Sequence, residues 1–67
     1  MGSTNIGAQL RQARIEKRMT QVALAKKIGK SSQLICDIEA GRKHPSVETL
    51  GAVVRVLGLE KAMDKFF

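Results

Sequence analysis

Arg42, Lys43 and His44 stand in a row after Gly41, Arg11, Arg14 and Arg18 recur upstream at spacings of three and four, and Lys26 and Lys27 lie between the two groups. Cationic side chains at this density can hold polyanions. The whole chain has the same sign: twelve Lys and Arg against six Asp and Glu leave a net charge of +6 and a pI near 10.1. Such a field attracts nucleic acid or acidic membrane surfaces, and it is equally the charge of a plain basic solvent face. Covalent chemistry finds no support. Cys36 is the single cysteine; no cation pattern beside it argues for an activated thiolate, so it reads as a small, half-buried residue rather than a redox switch. It cannot form an intrachain disulfide, which fits a reducing cytosol. His44 has no partner at metal-ligand spacing and reads as a loop residue. No Ser-His-Asp, Cys-His or paired-carboxylate arrangement occurs, so we expect no enzyme, no cofactor and no metal.

The elements that position these charges follow from composition. A chain of 67 residues has room for one domain, 1–67, near the lower limit at which an apolar core suffices without metals or disulfides. Hydrophobic residues make up 43% and aromatics 3%, so the core must be aliphatic, and Val and Ile never alternate with polar residues over a strand's length. An all-α fold is expected. No apolar run approaches the ~20 residues of a membrane span and no secretory signal is evident, which leads to the expectation of a soluble, cytoplasmic protein with no membrane partner. Residues 1–4 are expected to be disordered or an expression remnant, outside the fold.

Five helices are predicted. Over 5–17, Ile6, Leu10 and Ala13 mark an inner face, while Arg11, Arg14 and Arg18 form a basic stripe on another. Thr20 sits where an N-cap belongs, Leu24, Ala25 and Ile28 follow as an inner face, and Gly29 ends the second helix through a left-handed conformation. Ser31 caps the third helix, with Ile35 and Ile38 turned inward and Gly41 as its stop. Pro45 forbids simple continuation; Ser46 followed by Val47, Leu50, Val53, Val54 and Leu57 is the fourth helix, ended by Gly58. A last helix over 59–67 carries Leu59, Ala62, Met63, Phe66 and Phe67.

The second and third helices are about two turns each, too short to be stable alone, so their mutual packing defines the unit. A steep crossing needs a small residue at the approach, a left-handed turn, and apolar anchors on the second helix. Gln21, Ala25, Gly29, Ile35 and Ile38 have the spacing of a helix-turn-helix. The string T-Q-x-x-L-A-x-x-x-G-x-S-x-x-x-I-x-x-I-E-x-G-R, from Thr20 to Arg42, resembles the Cro/CI-type helix-turn-helix of the XRE family, and the likeness extends from Ile6 to Leu59. It implies a five-helix, lambda-repressor-like DNA-binding domain with the helix-turn-helix at helices 2 and 3.

The resemblance also implies roles. Gln21, at the start of helix 2, would donate to a DNA phosphate, aided by the positive end of that helix. Ser31, Ser32 and Gln33 open the recognition helix; Ser32 and Gln33 are the candidates for major-groove contacts, and the Gln33 amide can pair bidentately with adenine N6 and N7. Asp37, one turn on, either accepts from a cytosine amino group or repels phosphate and tunes register. Arg42 and Lys43 would touch the sugar-phosphate backbone, with Arg11, Lys26 and Lys27 as weaker candidates. Arg14 and Glu39 look like exposed charges, whereas the resemblance implies an ion pair joining helix 1 to the end of helix 3. Three positions depart from the family pattern. Arg18 stands where a helix-ending Gly is frequent, Lys30 replaces an apolar residue, and Leu34 either touches a thymine methyl or simply packs.

The function expected is a sequence-specific double-stranded DNA-binding transcriptional regulator, a repressor acting as a homodimer on a pseudo-palindromic operator. Met63, Phe66 and Phe67 are the candidate dimer interface, the alternative being that the two rings cap the monomer core. A second reading is a HipB-like antitoxin, which would bind a toxin protein and repress its own operon; the segment "LAKKIG" resembles that branch.

Overall fold

Polar side chains placed just ahead of each apolar-periodic stretch start the helices. The computed structural model describes residues 5–58, and within them the order is α1 (Ile6–Glu16), α2 (Gln21–Ile28), α3 (Ser32–Glu39) and α4 (Val47–Leu57). Asn5 Oδ1 accepts from the N–H of Gly7 at 2.9 Å, Thr20 Oγ1 from Ala23 at 3.0 Å, Ser31 Oγ from Leu34 at 3.2 Å and Ser46 Oγ from Thr49 at 3.1 Å. Each satisfies a donor that helix geometry leaves without a partner. The described residues hold four helices rather than the expected five. The fifth, over 59–67, lies outside them, as do residues 1–4 and the interface candidates Met63, Phe66 and Phe67.

Three helices close with one backbone motif. At the end of α1 the Arg18 N–H donates to Ile15 O at 2.8 Å and the Met19 N–H to Arg14 O at 3.1 Å. At the end of α2 the pairs are Gly29 to Lys26 O at 3.3 Å and Lys30 to Ala25 O at 2.9 Å; after α3 they are Gly41 to Ile38 O at 3.1 Å and Arg42 to Asp37 O at 2.8 Å. This pairing recovers last-turn carbonyls and needs a left-handed residue at its centre. Gly29 (φ 71°) and Gly41 (φ 83°) meet that need without strain, and Arg18 (φ 57°) meets it at a cost of about 1–2 kcal/mol. The third helix itself ends on right-handed Ala40, with Gly41 one residue later than a simple stop.

Leu10, Leu24, Ala25, Ile35, Ile38, Leu50, Val53, Val54 and Leu57 form one core, with Ile6, Ala13, Met19, Ile28, Leu34 and Val56 packed at its margin. α2 lies against α3 and α4, and α1 against the same two. The approach of α1 to the end of α3 depends on buried Gly7, where a Cβ would overlap the Ile38 carbonyl oxygen.

Val47, the first residue of α4, is 76% exposed, and the inward place in that first turn is taken by Thr49, whose hydroxyl accepts from Ser46 Oγ at 3.0 Å. Arg14, placed by spacing in the basic stripe and by the resemblance in an ion pair with Glu39, is buried, 8% exposed. The stripe therefore breaks at its middle, and Arg11 and Arg18 remain in solvent.

Candidate nucleic-acid interface

Helical spacing divides α3 into two sides. Ile35 and Ile38 are buried, whereas Ser32 and Gln33 are exposed at its start and Cys36 and Asp37 are half-buried one turn later. Leu34, for which two roles were open, is half-buried against the core margin. Ser31 is exposed with its hydroxyl oxygen capping the helix.

The inner end of α3 is fastened by charge. Arg14 Nε donates to Glu39 Oε2 at 2.7 Å and Arg14 Nη2 to Oε1 at 3.0 Å, a two-point contact between side chains only 10% and 4% exposed. Arg14 Nη1 donates to the Met19 carbonyl, and Gln21 Nε2 donates to Glu39 Oε1 at 3.0 Å. One carboxylate thus ties the last turn of α1, the start of α2 and the end of α3. Charge-assisted, two-point bonds of this kind are the strong ones, and no buried side-chain polar atom among the described residues lacks a partner. Gln21, expected at a phosphate, spends one amide hydrogen on Glu39 and keeps the other.

The outer side carries a second, exposed chain of contacts. Gln33 Nε2 donates to Asp37 Oδ1 at 3.1 Å; Arg42 Nε donates to the same oxygen at 2.9 Å and Arg42 Nη2 to Cys36 Sγ at 3.5 Å. The hydrogen bond from Arg42 is the main reason that the Asp37 carboxyl sits below its ordinary value of 3.8; partial desolvation opposes it, and Gln33 and the charges of Arg42 and Lys43 assist. The same contact raises Arg42. Backbone geometry places Arg42 there, since the Asp37 carbonyl accepts from the N–H groups of both Arg42 and Lys43, at 2.8 and 3.2 Å. Arg11, Lys26, Lys27, Lys30, Lys43 and His44 are exposed cations or loop residues. No cluster of metal-ligating side chains occurs among the described residues, and no helix among them is long and apolar enough to cross a membrane.

Sequence reasoning missed the Gln21–Glu39 bond, the Gln33–Asp37–Arg42 chain and the role of Gly7. The spacing of Gln33 and Asp37, four apart on one helix, was the available signal for the second.

The helix-turn-helix family HTH_3 matches residues 10–62. The chain belongs to that family. HTH_3 proteins are DNA-binding transcription regulators, not enzymes. Among HTH_3 relatives, multiprotein-bridging factor 1 of Debaryomyces hansenii is 45% identical over 84% of this chain and 37% of its own length. The immunity repressor protein of Bacillus phage phi105 is 40% identical over 82% of this chain and 38% of its own. The chain thus spans little more than a third of the curated relatives it matches. The clp gene regulator ClgR of Corynebacterium glutamicum superposes with a TM-score of 0.84 at 35% identity, covering 92% of this chain and 65% of that one.

Proposed function

We propose that this domain reads DNA for a sequence-specific transcription regulator, a repressor that binds a pseudo-palindromic operator as a homodimer in the cytoplasm. The observation that carries this reading is α3 itself: its inner end is fastened by the buried Arg14–Glu39–Gln21 contacts, and its outer side presents Ser32 and Gln33 to solvent beside Arg42 and Lys43. Gln33 pairs with adenine, Ser32 meets a neighbouring base edge, and Arg42, Lys43 and the second amide hydrogen of Gln21 hold phosphates. Ser31 donates its hydroxyl proton to a phosphate while its oxygen caps the helix. Similarity to a protein named an immunity repressor supports repression over activation. Dimerisation follows from energetics, because one short helix makes few base contacts and two linked copies roughly double the specific binding energy; Met63, Phe66 and Phe67 are the proposed contact. The test is fluorescence anisotropy on a selected duplex and a scrambled one. Gln33→Ala should lose about 1–3 kcal/mol per half-site on the first and little on the second. An unchanged preference would remove Gln33 from the groove.

A further inference from the structure

We propose that Asp37 is a positioning residue for base recognition: its carboxylate joins Gln33 to Arg42, so that a phosphate held by Arg42 fixes the orientation of the Gln33 amide that reads the base. The proposal rests on the operator-binding reading above and goes beyond it in coupling a phosphate contact to a base contact. Both contacts converge on one atom, Asp37 Oδ1, at 3.1 Å from Gln33 Nε2 and 2.9 Å from Arg42 Nε. The Arg42 side chain is 59% exposed and the Asp37 side chain 14%; Arg42 Nη2 also donates to Cys36 Sγ, and the guanidinium N–H groups bonded to neither partner remain available to a phosphate oxygen. The junction has a rigid base, because the Asp37 carbonyl holds the Arg42 and Lys43 N–H groups.

The consequence concerns the two ends of an amide. A free Gln side chain turns over readily and can present either its donor or its acceptor to a given groove position. With Nε2 bonded to Asp37, Oε1 is directed away from the carboxylate and the second Nε2 hydrogen remains, which is the donor and acceptor pair that adenine N7 and N6 require. Fixing the amide before binding removes an ordering cost and penalises bases that need the turned-over form.

Asp37→Ala should lower the preference for the selected base over its competitors at the Gln33 position by about three- to tenfold per half-site, while affinity for scrambled DNA rises because a negative charge near phosphate is gone. Asp37→Asn, whose Oδ1 still accepts from Gln33, should keep most of the preference. Arg42→Ala should weaken binding to every sequence and also relax the preference at that base, whereas Lys43→Ala should weaken binding with the preference intact. In the DNA-free protein the Gln33 side-chain amide protons should move toward random-coil NMR shifts in Asp37→Ala but not in Lys43→Ala, a readout independent of any operator. Circular dichroism confirms folding of each variant. A preference unchanged in Asp37→Ala, an equal loss in Asp37→Asn and Asp37→Ala, or unmoved Gln33 amide signals would overturn the proposal. A wild-type protein with no base preference but ordered Gln33 amide signals would overturn the operator reading and the coupling built on it.

Discussion

Glu39 accepts from two nitrogens of Arg14 and from Gln21 in a site almost closed to water. Removing one member of such a pair leaves a desolvated charge, so Glu39→Gln should cost about 3 kcal/mol in urea melts at neutral pH. Asp37→Asn, at a pair whose Arg42 side chain lies in solvent, should cost much less; equal losses would return Arg14 and Glu39 to ordinary surface charge. Asp37 also has a pH signature. Its carboxyl is held below 3.8 by the Arg42 hydrogen bond, so it adds stability above its unfolded value, and that contribution is lost as pH falls through the lower folded value. In carbon NMR titration the Asp37 midpoint should lie below 3.8 and rise toward it in Arg42→Ala. Much of this scale was legible in advance: Thr20 and Ser31 announce themselves by type and position. Gln21, Gly7 and the Asp37 junction were not, because their partners lie on other elements or in the loop after α3, and local pattern carries no information about what a fold brings alongside.

At the scale of elements, Gly29 and Gly58 could be read as left-handed stops and are so. Arg18 performs the same task without being glycine. Arg18→Gly should therefore raise stability by about 0.5–1 kcal/mol in thermal melts, the strain relief of about 1–2 kcal/mol being partly offset by the greater freedom of Gly in the unfolded chain. A destabilised variant would show that the Arg18 side chain makes contacts worth more than the strain. Gly7→Ala tests the opposite case, since a methyl group there meets backbone that cannot turn away; it should cost at least about 2 kcal/mol and loosen the end of α3. Periodicity located α1 and α4 well, but it says nothing of the burial of Arg14 or the exposure of Val47. A helical wheel sorts residues by apolarity, and a buried arginine with a carboxylate partner and an exposed valine at a helix start both violate that sorting.

For the whole molecule the decisive quantity is charge. Each phosphate neutralised should contribute about −0.9 to the slope of log affinity against log salt, so a dimer with several contacts per subunit should lose orders of magnitude in affinity between low and high salt. Phe66→Ser/Phe67→Ser should shift the protein to monomer in sedimentation and lower operator affinity through lost linkage; persistence of the dimer would place the interface elsewhere. Fold class and family were legible from Thr20 to Arg42 because helix-turn-helix packing imposes residue types at fixed spacings. The operator sequence was not, since it depends on a DNA surface absent from the chain. Selection of bound duplexes from a random pool tests the central claim most directly. The account predicts an enriched motif with two-fold symmetry, its half-sites one helical turn apart and each carrying an adenine whose enrichment disappears in Gln33→Ala. Salt-dependent binding with no enriched motif would contradict it.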